Sequence, residues 1–237
     1  MTIAPSALAV VHSVSAEPLS PQLQTVLQHP GVWRHSSSAA HHVRAQSTGF
    51  AELDDALPGN GWPLGALTEI LFDFDGVGEM ALVMPALAQL TQRRQRIVFV
   101  APPHIPYAPA LAAHGIDLRY AVQIDATATQ GAWSAEQCLR SGACGAVLSW
   151  HGNADYTQLR RLQLAAESGD ALSFLFRPAH AAAKPSPAAL RLRLHTEETM
   201  ESQSTESWLS ESQFTIEVLK CRGNLDRQRS TRLRCRV

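Results

Sequence analysis

The segment TEILFDFDGVGEMALVMPAL, residues 68 to 87, runs from a strand-like apolar pattern through a turn carrying Gly76 and Gly78 into a helix-like pattern. Backbone amides cradle phosphate in this layout, with a lysine on the outer phosphates and a Ser or Thr hydroxyl on magnesium. Here the G-K-[ST] ending is replaced by Gly78-Glu79-Met80, which puts a carboxylate where phosphate needs a cation. Asp73 and Asp75 add two more acids to the same turn. At roughly 4 kcal/mol per close like-charge pair, nucleotide binding is strongly disfavoured, and no cofactor is expected. Pro85 adds to this: inside a helix it costs about 3 kcal/mol, unless the helix begins beside it, and either outcome spoils an amide cradle. Asp73, Asp75 and Glu79 as a cation site lack the spacing of a calcium loop, so no metal is expected there.

Other chemistry-bearing residues are scattered. Cys138, Cys144, Cys221 and Cys235 form no close metal-ligand pairs and read as reduced thiols. His35, His41 and His42 lie together in a polar stretch without the register of a zinc site. A net charge of -1 over 237 residues excludes a global basic field for nucleic acid, and 45% hydrophobic residues supply a core. The N-terminus has no basic leader pattern and no run of eighteen apolar residues occurs, so a cytoplasmic chain without membrane association is expected.

The elements that must position the turn follow a regular alternation. Residues 1–47 read as a partly disordered arm and linker rich in Ala, Ser and Pro, with a short helix over PQLQTVLQHPGVW. Over 48–180, GALTEILF, RIVFVA, DLRYAVQI, AVLSW and ALSFLFRP read as strands. Met80 to Gln92, IPYAPALAAHG, AWSAEQCLRSG and ADYTQLRRLQLAAESG read as the helices between them. Continuous apolar strands alternating with amphipathic helices predict an α/β fold, a mostly parallel sheet covered on both faces.

Over 181–237 the period changes to two, which predicts C-terminal antiparallel strands. LRLRL, FTIEVLKCR and TRLRCRV each put apolar residues on one face, and LRLRL and TRLRCRV set arginines on the other, with AHAAAKPSPAA a loop before them and an acidic, serine-rich loop among them. Lys184, Lys220, Arg222, Arg227, Arg229, Arg232, Arg234 and Arg236 form a candidate contact for DNA or a partner, against the plainer reading of charged residues that protect an edge strand. No aromatic residue interleaves with them, so DNA contact would be non-specific and salt-sensitive. Trp33 and Trp208 are candidate protein-interface anchors, set against ordinary packing.

The run STGFAELDDALPGNGWPLGALTEILF resembles the opening of the RecA-type recombinase core, and IVFVAPPHIPYAPALAAHGIDL and EQCLRSGACGAVLSW continue that similarity. Within that superfamily, the GWPLGALTEIL block, the G-x-G-E turn and the terminal Leu219-Lys220-Cys221-Arg222-Gly223 are similar to the ImuA proteins, SulA-like accessory factors of bacterial translesion DNA synthesis. The resemblance implies a RecA-like P-loop-type fold whose phosphate loop, at Gly76, Gly78, Glu79 and Met80, is degenerate. It places the family's catalytic glutamate on Pro103 and its magnesium-associated aspartate on Trp150. It thus implies a non-enzymatic adaptor of the SOS response. Its implied partners are an ImuB-type Y-family polymerase homologue, a specialised polymerase III α subunit and RecA, with self-association through the same surfaces. The alternative from the same resemblance is a SulA-type cell-division inhibitor that binds FtsZ. An active ATPase would need Lys184 or Lys220 to act in trans and would still lack magnesium ligands.

Overall fold

The apolar runs fold as strands of one sheet. The structure, a computed structural model, describes residues 44–74, 78–196, 213–223 and 232–236, the last stretch by its backbone. A two-residue strand β1 (Ala45–Gln46) pairs antiparallel with β2 (Trp62–Pro63) around helix α1 (Ala51–Ala56). Then follow β3 (Ala66–Phe72), α2 (Met84–Gln92), β4 (Arg96–Val100), α3 (Ala108–Ala113) and β5 (Ala121–Ile124). Next are α4 (Ala128–Arg140), β6 (Cys144–Trp150), α5 (Tyr156–Gly169) and β7 (Leu172–Pro178). Strands β8 (Leu190–Thr196), β9 (Gln213–Cys221) and β10 (Arg232–Arg236) complete the order. Among the described residues, no helix is long and apolar enough to cross a membrane.

The eight-stranded sheet runs β10-β9-β8-β3-β7-β6-β4-β5. From β8 through to β5 every neighbouring pair is parallel, while β8–β9 and β9–β10 are antiparallel. The mixed α/β architecture expected from sequence is therefore present, with one difference at the C-terminal strands. β8 pairs parallel with β3, Thr68 opposite Leu190, so these strands extend the main sheet rather than forming their own.

Alternation along each strand sorts side chains into two layers, as a period of two requires. Ile70 and Phe72 of β3, Ile97 and Phe99 of β4, Leu148 of β6 and Leu192 of β8 face one core with Leu87 and Leu90 of α2. Leu67, Val98, Val147 and Leu175 face a second core with Leu139 of α4 and Leu159 and Leu162 of α5. An Asp155–Gln158 capping box starts α5, Asp155 Oδ1 accepting from Gln158 N at 2.8 Å.

Four sequence expectations are corrected. The helix read from Met80 begins at Met84, with Pro85 in its first turn, where a missing amide hydrogen removes no helical bond. The first part of DLRYAVQI is a 3-10 turn, Leu118–Tyr120, capped by Asp117, whose Oδ1 takes Arg119 N at 3.1 Å. AHAAAK includes a 3-10 helix, Ala179–Ala183. The arginines of LRLRL do not form an exposed cationic face: Arg191 is buried, and Arg193 is half-buried and pairs with Asp73 at 3.1 Å.

Candidate functional site

Because β3, β7, β6 and β4 are parallel, their carboxyl ends lie on one edge of the sheet, and the turns that follow β3, β4 and β6 meet there. Ligands of open α/β sheets bind at such edges, where neighbouring connections leave in opposite directions. A cavity of about 240 Å³ opens at this edge. Its wall includes Glu79, Met80 and Met84 from the first turn and helix, Phe99 and the Pro102–Tyr107 loop after β4, and Trp150 at the end of β6. Four of the six residues picked from sequence as a degenerate phosphate site, Glu79, Met80, Pro103 and Trp150, therefore share one cavity. Gly78 is in the same turn with φ 87, a backbone that favours glycine, and Gly76 lies outside the described residues.

Local structure fixes this wall. Asp54 of α1 accepts from Ser47 Oγ at 2.7 Å and from Thr48 N at 2.8 Å, closing the Ser47-Thr48-Gly49 turn. That turn packs on the start of α2, since a Cβ on Gly49 (φ +89) would stand 2.4 Å from Pro85 Cβ. On the other side, Ala101 leaves β4 with φ 50, a left-handed conformation that is strained for alanine. Pro102, Pro103 and Pro106 then restrict the loop, and Ile105 and Tyr107 project into solvent at 82% and 71% exposure.

The floor is aromatic. Trp150 stacks on Phe176 of β7, centroids 4.7 Å apart at 15°, and Phe72 of β3 leans on Phe176 at 6.4 Å. The position where the resemblance expects a magnesium-associated aspartate thus packs a ring against a neighbouring strand. Trp150 Nε1 is buried with no hydrogen-bond acceptor among the described residues. Glu79 is 8% exposed, and its Oε2 likewise has no donor. No ion pair among the described residues involves it, and no lysine or arginine lines the cavity. Next along the chain, His151 is buried, and among the described residues neither ring nitrogen has a partner in hydrogen-bonding geometry; its ring is set where a Cβ on Gly131 would stand 2.5 Å away. Burial pushes its pKa down to about 4, so it is neutral and adds no cation.

The glutamate that sequence reading passed over is Glu69, in the middle of β3 and fully buried. Arg177 Nη1 donates to its Oε1 at 2.9 Å and Arg191 Nε to its Oε2 at 2.5 Å. Arg177 Nη2 also donates to Ala154 O at 2.9 Å, and Arg191 Nη2 to Ala181 O at 2.9 Å. Glu69 faces Arg191 in the β3–β8 register, and Arg177 faces Leu71 one pleat further along β7, so the triad ties three adjacent strands. The sequence signal was a lone acid in an otherwise apolar strand.

The basic residues do not converge on this cavity. Lys184 is exposed just after the 3-10 helix. Lys220 Nζ donates to Ser186 O at 2.8 Å, and burial, with Arg191 nearby, lowers its pKa. Arg222 approaches Glu167 at 3.8 Å. Arg232, Arg234 and Arg236 occupy the edge strand β10, in register with Glu217, Thr215 and Gln213. Arg227, Arg229, Trp33 and Trp208, like His35, His41, His42 and Asp75, lie outside the described residues. At the opposite edge of the sheet, Cys144 has its thiol drawn down to about 7, chiefly by a hydrogen bond from Cys138, whose own thiol is pushed up. Among the described residues, no group of three or more His, Cys, Asp or Glu could hold a metal ion.

Comparison with known proteins gives a partial likeness. The family model for the cell division inhibitor SulA matches residues 65–173, from β3 to the start of β7, which is under half of the chain. The crystal structure of SulA from Pseudomonas aeruginosa is 23% identical over 47% of this chain and 97% of that one, with a TM-score of 0.40, a likeness too loose to place residues. No curated protein matches the sequence. The segment bearing the cavity is thus similar to the SulA family over β3 to β6, including all four of the shared residues.

Proposed function

We propose that this chain is a non-catalytic adaptor of the bacterial DNA-damage response, working by holding other proteins. The observation that carries the reading is the cavity in which Glu79, Met80, Pro103 and Trp150 meet. In the register of the RecA-type resemblance, phosphoryl transfer requires a lysine, a hydroxyl, a carboxylate and a second carboxylate at those four places. Glu79 offers the phosphates no cation, Met80 offers magnesium no hydroxyl, and Pro103 and Trp150 offer no carboxylate to serve the metal or position a water for attack. The likeness of residues 65–173 to the SulA family supports a role in the SOS response. The ImuA-like blocks favour an ImuB-type polymerase homologue as the first partner, with a polymerase III α subunit and RecA beside it. Titrating the full chain with magnesium ATP tests the non-catalytic half: no heat up to millimolar nucleotide is expected, and micromolar binding or turnover would sink it. Pull-down with the ImuB-type protein and with RecA tests the other half, which falls if neither is retained.

The family match itself favours a second reading, a cell-division inhibitor acting on FtsZ. Overexpression separates the two. Filamentous cells and co-sedimentation with FtsZ polymers belong to the inhibitor. Normal division, with damage-induced mutagenesis lost on deletion, belongs to the adaptor.

A further inference from the structure

We propose that the cavity at the carboxyl edge of the sheet is a docking site for a partner-protein peptide that presents a basic side chain beside a large apolar one. This deepens the adaptor reading and rests on it. The wall leaves two polar groups unanswered at once. Among the described residues, Glu79 Oε2 is a buried acceptor without a donor, and Trp150 Nε1 a buried donor without an acceptor. Buried polar groups left unpaired cost about 1–3 kcal/mol each, so an occupant that supplies both partners is favoured over an apolar plug. A lysine or arginine side chain answers the carboxylate, and a peptide carbonyl answers the indole N–H. A simple amine would satisfy only the first, and a nucleotide would bring more negative charge to a wall that includes Glu79 and His104 but, among the described residues, no lysine or arginine.

The surroundings extend the same chemistry beyond the cavity. Ile105 and Tyr107, both in the wall, stand far out in solvent, which marks an apolar surface that a chain running across the opening would cover. Met80 and Met84 are unbranched and adapt to differently shaped side chains. The prolines at 102, 103 and 106 hold the rim in place before binding, so little order is lost when a peptide settles.

The test is selection from a random dodecapeptide display library on the immobilised full chain, followed by fluorescence-anisotropy titration of the selected peptides. Enriched sequences are expected to carry Lys or Arg within two residues of Leu, Met, Phe or Trp. Their affinity should fall about tenfold or more on Glu79→Gln, which removes a charge-assisted bond. Ile105→Ser, at an exposed position that leaves folding intact, should weaken them as well. No enrichment, enrichment without basic residues, or peptides bound equally by Glu79→Gln and the parent would each overturn the docking site while leaving the adaptor reading to its own tests. Competition by magnesium ATP would overturn both. Glu79-dependent peptide binding in a protein whose deletion spares damage-induced mutagenesis would keep the docking site and remove the adaptor role.

Discussion

Glu69 and Glu79 lie on one short stretch of chain, both nearly or wholly out of water, and their surroundings are opposite. Each oxygen of Glu69 takes a guanidinium, and the arginines that supply them are themselves tied to backbone carbonyls on two other segments. Glu79, in the wall of an opening, has an oxygen with no donor among the described residues. Burial of an acid therefore has two meanings here. In the sheet, charge is enclosed together with its counter-charge and fixes how β3, β7 and β8 align. At the edge, an acid is enclosed without a paired arginine or lysine among the described residues, and the docked basic side chain proposed above would supply one.

Truncating each acid should separate these meanings most widely. Glu69→Ala leaves two guanidiniums buried and uncompensated, and should destabilise by about 3–5 kcal/mol in urea unfolding. Glu79→Met removes an unsatisfied group from an apolar wall and should leave stability within about 1 kcal/mol of the parent, on the favourable side. Losses of similar size for the two variants would mean that Glu79 is internally paired, and the contrast would collapse.

The next effect is in pH. His151, beside the cavity floor, has its pKa pushed down to about 4 by burial, from an ordinary value of 6.5. A depressed folded pKa means that the unfolded chain takes up the proton first. Stability is then complete above about pH 6.5 and is lost as pH falls toward 4, by on the order of 3 kcal/mol at full effect. The stability difference between the parent and His151→Phe should therefore shift in favour of the variant between pH 6.5 and 4. A difference that stays flat over that window would place His151 in water or beside a partner.

How far the sequence carried these features depends on range. The strands β3, β4, β6 and β7 were legible because runs such as IVFV and FLF are apolar and short, which fits a strand covered on both faces. That Glu79, Met80, Pro103 and Trp150 belong together was legible through the resemblance. The start of α2 was not, because ALVMPAL has a helical pattern on both sides of Pro85, and only the fit of that proline over Gly49 places the first turn. Arg191 was read as exposed because alternation in LRLRL cannot tell solvent from a buried carboxylate 122 residues away in sequence. The cavity itself is tertiary: nothing local to Ile105 or Tyr107 says that their loop faces Glu79.

The support of the Glu79 turn can be broken at smaller cost. Gly49→Ala must accommodate φ +89 and a Cβ 2.4 Å from Pro85 Cβ, and should lose about 1–3 kcal/mol in thermal or urea unfolding. If the clash is what matters, Pro85→Gly in the same background, which removes that Cβ, should recover part of the loss, and the double-mutant cycle should show coupling above about 0.5 kcal/mol. Additive effects would mean that backbone strain alone sets the penalty and that the turn does not position α2.

The smallest effect concerns the rim of the Glu69 triad. Lys220 lies near Arg191 and donates to Ser186 O, so its charge sits beside the enclosed pair rather than in a free basic track. Lys220→Ala should cost about 0.5 kcal/mol, the share of one largely exposed hydrogen bond. If the chain binds DNA at low salt, the slope of log affinity against log salt should be unchanged in this variant, because a lysine held against a carbonyl is not released to a phosphate. A slope reduced by about one would instead make Lys220 a phosphate contact. The cationic end of the chain would then differ from the triad in kind, facing outward to nucleic acid where Arg191 faces inward to Glu69.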